Sequence, residues 1–247
     1  MKLINSAGHK TPVEFNHSSM KEGALDRPLF FMELKMEPDD DDRRRISRGV
    51  EGGIRLQSER LELRKPHRND LAAITREIGK AQVARYLAIV PHPYTFIDAT
   101  NWFGGINASW GINSFTFGIY EKNYSDELIG VVSIDSLLAR NNPCPSLGYW
   151  LALDHWGRGL MSEAVGAVLA FAFERLNAPC IEATYLEENP SSGRVMVKNG
   201  FRSVERTMLW SRYRMSYLPG HLMRCEIADW SAANENMNIL VGSVGET

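Results

Sequence analysis

The fold of this chain is decided by residues 146–186, which read SLGYWLALDHWGRGLMSEAVGAVLAFAFERLNAPCIEATYL. The run at 146–153 is nearly continuous in apolar residues and has the length of a strand, which predicts a central strand buried on both faces. Residues 161–176 place apolar side chains on one stripe at helical spacing, which is typical of an amphipathic helix. Pro179 follows the helix, and residues 180–186 alternate as a second strand. The unit predicts a right-handed crossover between two parallel strands.

The segments on either side of this unit predict antiparallel pairing. Upstream we expect a strand at 60–64, helices at 70–78 and 98–110 (the second capped by Asp98), and strands at 115–121 and 128–135. Downstream we expect a short helix at 191–199 closed by Gly200, and an antiparallel pair at 201–214 and 222–229. A single strand–helix–strand unit within a series of antiparallel strands predicts the α+β class with a mixed sheet.

The composition of the chain limits the classes of partner that it is expected to bind. The 247 residues carry a formal net charge of −2, so no basic field favours nucleic acid. No stretch approaches the roughly 18 apolar residues of a membrane span, and residues 1–15 lack an apolar leader, so we expect a cytoplasmic protein. Cys144, Cys180 and Cys225 are widely spaced and odd in number, which predicts reduced, packed thiols and no metal site.

Residues 1–53 differ from the rest of the chain. They contain an acidic run at 37–42, mixed with Pro38, and then three arginines at 43–45. Such blocks of like charge are typical of solvated segments. We interpret this region as an N-terminal extension, flexible or partly docked.

The loop at 154–161, DHWGRGLM, has the features of an anion site. Gly157 and Gly159 permit close approach of a ligand to the backbone. The helix behind them begins with amides that have no intrahelical partner and with the positive end of its dipole. These features predict a pyrophosphate cradle, to which Arg158 adds a charge. The alternative for an isolated G-x-G is a tight strand-to-helix turn.

Three blocks stand in order along the chain: GYWL at 148–151, WGRGLMSEA at 156–164, and NPSS at 189–192 with KNGF at 198–201. Together they resemble the GNAT superfamily of acetyl-CoA-dependent N-acetyltransferases, most closely its RimJ/RimL-like branch, which acetylates the N-termini of ribosomal proteins. The resemblance spans roughly Gln57 to Asp229. It implies a GNAT domain at 54–230, a C-terminal tail at 231–247, and an acyl-CoA N-acyltransferase fold with a mostly antiparallel sheet, one parallel βαβ unit and a splayed strand pair.

The resemblance also implies a set of cofactor contacts. Backbone groups of the splayed strand would pair with the pantetheine arm, and amides of the loop would hold the pyrophosphate of acetyl-CoA, which is a co-substrate. Asn189 would hydrogen-bond the cofactor arm, and Arg194 and Lys198 are candidates for its 3′-phosphate, with a solvated helix face as the alternative. The implied cofactor-binding residues are Leu151, Ala152, Leu153, Trp156, Gly157, Arg158, Gly159, Leu160, Met161, Ser162, Asn189, Ser192, Arg194 and Lys198.

The chain departs from the superfamily pattern at three positions. Trp156 stands where glutamine or arginine usually begins the loop, although tryptophan is familiar there in the RimJ/RimL-like branch. Met161 stands where glycine or alanine is usual, and we expect it to crowd the phosphates. Met196 stands where a tyrosine often protonates the departing thiolate, so Ser192 becomes the candidate donor.

The expected reaction is direct attack of a neutral amine on the thioester in a ternary complex, with the oxyanion held by a backbone amide of the splayed strand. The general base is open among Asp135, Glu163 and Glu182, with Tyr149 as a hydroxyl that orders water. Each of these residues has a structural alternative. His155, beside the loop, is a further candidate, with a simply exposed turn histidine as the alternative.

Two other functions fit part of the pattern. Gly157-x-Gly159-x-x-Ser162 approaches the dinucleotide fingerprint of an NAD(P)-dependent oxidoreductase, but the third glycine and the repeated βαβ series are missing. A non-catalytic module that binds CoA is the second alternative. If the chain is an acetyltransferase, its acceptor is either a protein N-terminus or a small amine. The sequence is compatible with both a monomer and a homodimer. A hydrophobic or acidic groove near the loops at 91–96 and 213–220 would bias the choice between these acceptors.

Overall fold

The computed structural model describes residues 54–124, 126–139, 143–233 and 240–243. The strands are β1 (Ile54–Gln57), β2 (Leu61–Arg64), β3 (Ser114–Glu121), β4 (Leu128–Asp135), β5 (Ser146–Leu151), β6 (Cys180–Leu186), β7 (Arg202–Ser211), β8 (Ser216–Glu226) and β9 (Leu240–Ser243). The helices are α1 (Leu71–Gly79), α2 (Ala81–Ala84), α3 (Phe96–Ser109), α4 (Leu160–Ala170), α5 (Pro190–Lys198) and α6 (Ile227–Ala233). The predicted extension at 1–53 lies outside the described residues.

The strands form one sheet in the order β7-β8-β6-β5-β4-β3-β2-β1-β9. Within the described residues, neighbouring strands are antiparallel except β5 and β6, which are parallel and joined through α4. The mixed, mostly antiparallel sheet with one βαβ unit is therefore confirmed. Strand β9 pairs with β1, so part of the predicted C-terminal tail joins the sheet.

The two faces of the sheet carry separate hydrophobic cores. On the first, which we call the α4 face, the buried side of α4 packs with residues such as Phe117 and Ile134, and Met196 of α5 joins them. On the second, the α1 face, Leu71 and Ile74 of α1 pack against Val131 and its neighbours. Because side chains alternate along a strand, each strand residue can be assigned to one face.

Two local predictions need correction. Strand β5 is central but not buried on both faces, since Gly148 is exposed and Tyr149 and Trp150 are half-buried. The reason is its separation from β6, described below. Helix α3 is capped by Thr95, whose hydroxyl accepts from the Asp98 amide, while the Thr95 amide donates to the Asp98 carboxylate. Asp98 thus completes a capping box from inside the helix.

The cysteine prediction is wrong for two of the three residues. Cys144 and Cys180 form a disulfide, with their Cα atoms 4.8 Å apart. Cys144 precedes β5 and Cys180 begins β6, so the crossover brings together residues that stand 36 positions apart in sequence. Cys225 is a free, buried thiol, as expected.

None of the helices in the described ranges is long and apolar enough to cross a membrane. The same ranges contain no group of three or more His, Cys, Asp or Glu side chains arranged to hold a metal ion.

Candidate active site

Strands β5 and β6 separate soon after they begin. Their parallel register consists of Ser146 opposite Glu182. A hydrogen bond of 2.9 Å from the Glu182 amide to the Pro145 carbonyl closes this end. Beyond it the strands diverge and leave a gap in the middle of the sheet, which confirms the splayed strand pair.

The last residues of β5 divide their backbone groups between β4 and the gap. The Ala152 amide donates to the Ile129 carbonyl of β4 at 2.8 Å. Since amides alternate between the two edges of a strand, those of Tyr149 and Leu151 face the gap. The Leu151 carbonyl, on the same edge, accepts a 2.8 Å hydrogen bond from the indole Nε1 of Trp156.

The carbonyls that follow are also bound within the protein. Ala152 accepts from the His155 amide at 3.0 Å, and Leu153 accepts from the Trp156 amide at 3.1 Å. The resemblance implies that Leu151, Ala152 and Leu153 expose backbone groups to a pantetheine arm. The geometry reduces the number of these groups that can bind the arm. The Leu151 amide faces the gap, whereas the Ala152 amide and all three carbonyls are hydrogen-bonded within the protein.

The loop after β5 forms an open corner in front of α4. Gly157 and Gly159 have φ of +75° and +77°, a left-handed conformation that disfavours other residues. A Cβ added to Gly157 would meet no atom within 4 Å, and one added to Gly159 would meet the Arg60 guanidinium at 3.7 Å. The first-turn amides, of Leu160, Met161 and Ser162, have no intrahelical partners. Among the described residues, only the Arg60 guanidinium would come within 4 Å of a Cβ at either glycine. The dipole of α4 favours an anion at this corner.

Arg158 is turned aside from the corner. Its guanidinium pairs with Glu121 at the end of β3, with 3.1 Å between Nη1 and Oε2, and contacts His155 Nδ1 at 3.2 Å. Its charge is therefore already compensated. The backbone of Arg158 still belongs to the loop, but its side chain is not aimed at a ligand in this arrangement.

Arg60 is the cation that the sequence did not indicate. Its Nη1 donates to the Arg158 carbonyl at 2.9 Å, and its guanidinium pairs with Glu163 in the first turn of α4 at 2.6 Å. The Glu163 carboxylate also accepts from the Arg60 amide and the Ser58 hydroxyl, each at 2.7 Å. Glu163 is thus saturated by structural donors, and its candidacy as general base is not supported.

Met161 does not crowd the loop, contrary to expectation. Its side chain is 7% exposed and lies in the core of the α4 face. The first turn of α4 points it into the protein while its amide remains at the corner. Met196 is likewise buried, at 1% exposure, so the position usually held by tyrosine points into the core here.

Tyr149 and Ser192 meet on the α4 face. The Tyr149 hydroxyl lies 2.9 Å from Ser192 Oγ and donates to the Ser192 carbonyl at 3.0 Å. Burial raises the pKa of Tyr149 well above its ordinary value, and the contact with Ser192 offsets only part of the rise. Asn189 caps α5, its Oδ1 accepting from the Ser192 amide at 3.3 Å. The sequence candidates Tyr149 and Ser192 thus form one pair.

Asp135 lies on the opposite face, in line with Val131 and Ser133 along β4. Ser133 Oγ donates to Asp135 Oδ2 at 2.6 Å. Burial raises the pKa of the Asp135 carboxyl, and the bond from Ser133 opposes this only in part. Gly148 of β5 leaves Ser133 uncovered, since a Cβ there would stand 3.4 Å from Ser133 Oγ.

Glu182 shares the α1 face but is already paired. Arg224 of β8 donates to Glu182 Oε1 through Nε at 3.0 Å and Nη2 at 2.6 Å. The pairing ties β6 to β8 at the point where Glu182 and Arg224 stand opposite each other. A carboxylate held in this way is a weaker base candidate than Asp135.

Arg194 and Lys198 are exposed on α5. Arg194 donates to Ser191 Oγ at 2.7 Å. Both side chains are exposed, and within the described ranges neither is hydrogen-bonded to the loop at 156–159.

A family model described as an acetyltransferase (GNAT) domain matches residues 60–202. An uncharacterized N-acetyltransferase p20 of Bacillus licheniformis is 28% identical over 151 residues, which are 60% of this chain and 82% of that protein. The ribosomal-protein-serine acetyltransferase of Escherichia coli is 33% identical over 76 residues, 31% of this chain and 42% of that protein.

Among solved structures, Mycobacterium smegmatis RimJ in complex with CoA-disulfide superimposes with a TM-score of 0.62 at 19% identity, over 76% of this chain and 95% of that chain. This likeness concerns the fold. Because the family model covers more than half of the sequence and the splayed sheet with its glycine loop is present, the chain belongs to the GNAT acetyltransferase family.

Proposed function

We propose that this chain transfers the acetyl group of acetyl-CoA to the α-amine of a polypeptide. The observation that carries the proposal is the open corner at Gly157 and Gly159, which adjoins the gap between β5 and β6. An anion-binding helix start beside a slot of strand amides suits a ligand with a pyrophosphate and an extended amide-containing arm. Relatives with this fold include one solved with a CoA-disulfide.

In this arrangement the amides of residues 157–162 hold the pyrophosphate. The arm then lies along the gap and pairs with the Leu151 amide, which brings its sulfur toward Ser192. Arg60 fixes the Arg158 carbonyl beside the loop, while its own charge is paired with Glu163. Arg194 and Lys198 are the candidates for the 3′-phosphate, as the resemblance implies.

The chemical step forms a C–N bond and breaks the C–S bond. The amine attacks the thioester carbonyl, whose oxygen accepts a hydrogen bond from a β5 amide while it carries negative charge. The electron pair of the C–S bond stays on sulfur, which leaves as a thiolate. A thiol with an ordinary pKa near 8.5 is a tolerable leaving group, so a hydrogen bond from the Ser192 hydroxyl is sufficient help.

Asp135 is the proposed base. Among the described residues it is a half-buried carboxylate on the α1 face that accepts a hydrogen bond from the neutral Ser133 hydroxyl, whereas Glu182 and Glu163 are bound by arginines. It would take the amine proton through a water molecule. An α-amine has an ordinary pKa of about 8, against about 10.4 for lysine, and needs only a weak base.

The test is a thiol-release assay with acetyl-CoA against a panel of peptides and small amines, together with calorimetry of CoA binding. We expect turnover with free peptide N-termini and loss of it when the N-termini are blocked. Gly157→Ala should weaken CoA binding about tenfold or more, because it strains the loop and narrows the corner. Gly111→Ala is the matched control, since Gly111 also has a positive φ, of 71°, in a remote turn.

Three results would contradict parts of this proposal. The absence of heat with CoA removes the cofactor assignment. Binding without turnover across the panel indicates instead a non-catalytic CoA-binding module. Turnover with small amines alone corrects the acceptor class and leaves the chemistry in place.

A further inference from the structure

The hydroxyl of Tyr149 contacts two oxygen atoms of Ser192, and it can donate its hydrogen to only one of them at a time. The distances are 3.0 Å to the Ser192 carbonyl oxygen and 2.9 Å to Ser192 Oγ. A phenol has one hydrogen to donate. When it donates to the carbonyl, it can only accept from the Ser192 hydroxyl, whose own hydrogen is then directed at Tyr149. Ser192 in that state offers lone pairs and no donor to a ligand in the gap.

A second arrangement uses the same atoms. If the Tyr149 hydrogen turns from the carbonyl to Ser192 Oγ, the serine hydrogen is released to point elsewhere. The Ser192 carbonyl tolerates the change, because it lies in the first turn of α5 and such carbonyls accept from the amide four residues on. The two states differ only in hydrogen-bond direction.

The surroundings keep Tyr149 in this role. Its ring packs against the core of the α4 face, from strand β5, and Met196 of α5 is buried in the same core. A side chain at position 196 therefore does not reach the gap, and the hydroxyl beside Ser192 comes from the strand. Burial raises the pKa of Tyr149, so at neutral pH it keeps its hydrogen and acts as a hydrogen-bond donor.

We propose that Tyr149 is a positioning residue for Ser192: it holds the serine hydroxyl and, by turning its own hydrogen onto Ser192 Oγ, directs the serine hydrogen to the sulfur that leaves CoA. The inference rests on the proposed function. Both hydrogens stay on their oxygens throughout, the C–S electron pair remains on sulfur, and the amine proton leaves through Asp135. No further reactant is needed.

The test is a double-mutant cycle on kcat with Tyr149→Phe and Ser192→Ala. We expect Tyr149→Phe to lower kcat about tenfold, as for loss of one oriented hydrogen bond, and to leave KM for acetyl-CoA nearly unchanged. In the Ser192→Ala background the same change should have no further effect on kcat. A purely structural role for Tyr149 predicts equal effects in both backgrounds.

A second pair of variants guards against misfolding. Ser192→Thr keeps a hydroxyl, so removal of the Tyr149 hydroxyl in that background should again lower kcat. Tyr120→Phe is the control for loss of a buried tyrosine hydroxyl, because Tyr120 donates to Asp70 at 2.7 Å on the opposite face. It should lower the melting temperature and leave kcat as in the wild type.

Unchanged kcat in Tyr149→Phe, or effects that multiply in the double variant, overturn this inference while wild-type turnover upholds the proposed function. Absence of wild-type turnover with every amine overturns both.

Discussion

The indole Nε1 of Trp156 donates a 2.8 Å hydrogen bond to the backbone carbonyl of Leu151. This contact spans the short turn between the end of β5 and the glycine loop. It fixes the strand edge that carries the Leu151 amide relative to the corner at Gly157. The ring of Trp156 also lies near that of Tyr86, with 6.4 Å between centroids, and is still 41% exposed. The tryptophan therefore connects the two halves of the proposed CoA site.

Trp156→Phe should weaken CoA binding without unfolding the protein. The variant keeps most of the ring and loses the indole donor, which leaves the Leu151 carbonyl without this partner and lets the loop shift against β5. A net hydrogen bond contributes about 0.5–1.5 kcal/mol, so we expect a rise in Kd of about 2- to 10-fold by calorimetry. Trp210→Phe, at an exposed position of β7, is the control. Equal Kd values for both variants and the wild type would show that the contact is dispensable.

Glu163 connects the turn between β1 and β2 to the first turn of α4. Its carboxylate accepts from the Ser58 hydroxyl and from the amide and guanidinium of Arg60. Glu163→Gln removes the charge and turns a donor toward Arg60, so we expect the free energy of unfolding to fall by about 1–3 kcal/mol, toward the lower end because Arg60 is partly exposed. Urea denaturation at neutral pH measures it. Glu174→Gln, on the exposed side after α4, is the control and should change little.

The same carboxylate makes stability depend on acid pH. Burial alone would raise the pKa of Glu163, but the hydrogen bonds from Arg60 and Ser58 outweigh it and hold the pKa below its ordinary value. Such a group stabilises the fold above its unfolded pKa of about 4.3 and loses this contribution as the pH falls through the folded pKa. The stability difference between wild type and Glu163→Gln should therefore shrink below about pH 4.3. A difference that grows in acid would contradict the assignment.

The Cys144–Cys180 disulfide closes the loop that contains β5, the glycine turn and α4. In the chain-entropy description, a cross-link over 36 residues raises the free energy of the unfolded state by about 4 kcal/mol, because it restricts the conformations of the unfolded chain. We expect dithiothreitol to lower the melting temperature of the wild type, and Cys144→Ser to lower it similarly. The reductant should then have no further effect on Cys144→Ser. If it destabilises that variant as much as the wild type, the cross-link is not the source of the effect.

Local sequence signals predicted the parts of this fold that depend on neighbouring residues. The apolar stripe at 161–176 and the alternation at 180–186 specified a helix and a strand, and Gly157 and Gly159 marked the loop. Features made by contacts far apart in sequence were missed. The ion pair of Arg60 with Glu163 joins residues 103 positions apart. No periodicity or motif signals such a pair.

In the candidate site too, the sequence indicated individual residues but not the contacts between residues that are distant along the chain. The sequence named Tyr149 and Ser192 separately, but their pairing depends on how β5 and α5 meet, 43 residues apart along the chain. It also named Asp135, Glu163 and Glu182 as equivalent carboxylates. Only their three-dimensional partners separate them, because an arginine neighbour stabilises the ionised form and weakens a base whereas burial beside a neutral hydroxyl does not.

Asp135→Asn separates catalysis from stability. Burial raises the pKa of Asp135, so between the ordinary pKa of about 3.9 and the raised folded value the native state binds more protons than the unfolded state, and stability falls as the pH rises. The asparagine variant lacks this loss and should be more resistant to urea than the wild type above that range. Its kcat should nevertheless fall about 100-fold, as for loss of a general base.

Glu182→Gln is expected to have the opposite effects. It removes the carboxylate that pairs with the Arg224 guanidinium and so lowers stability, while kcat stays close to that of the wild type. A loss of turnover in Glu182→Gln with retention in Asp135→Asn would move the base to β6, because both carboxylates lie on the α1 face and only their partners distinguish them.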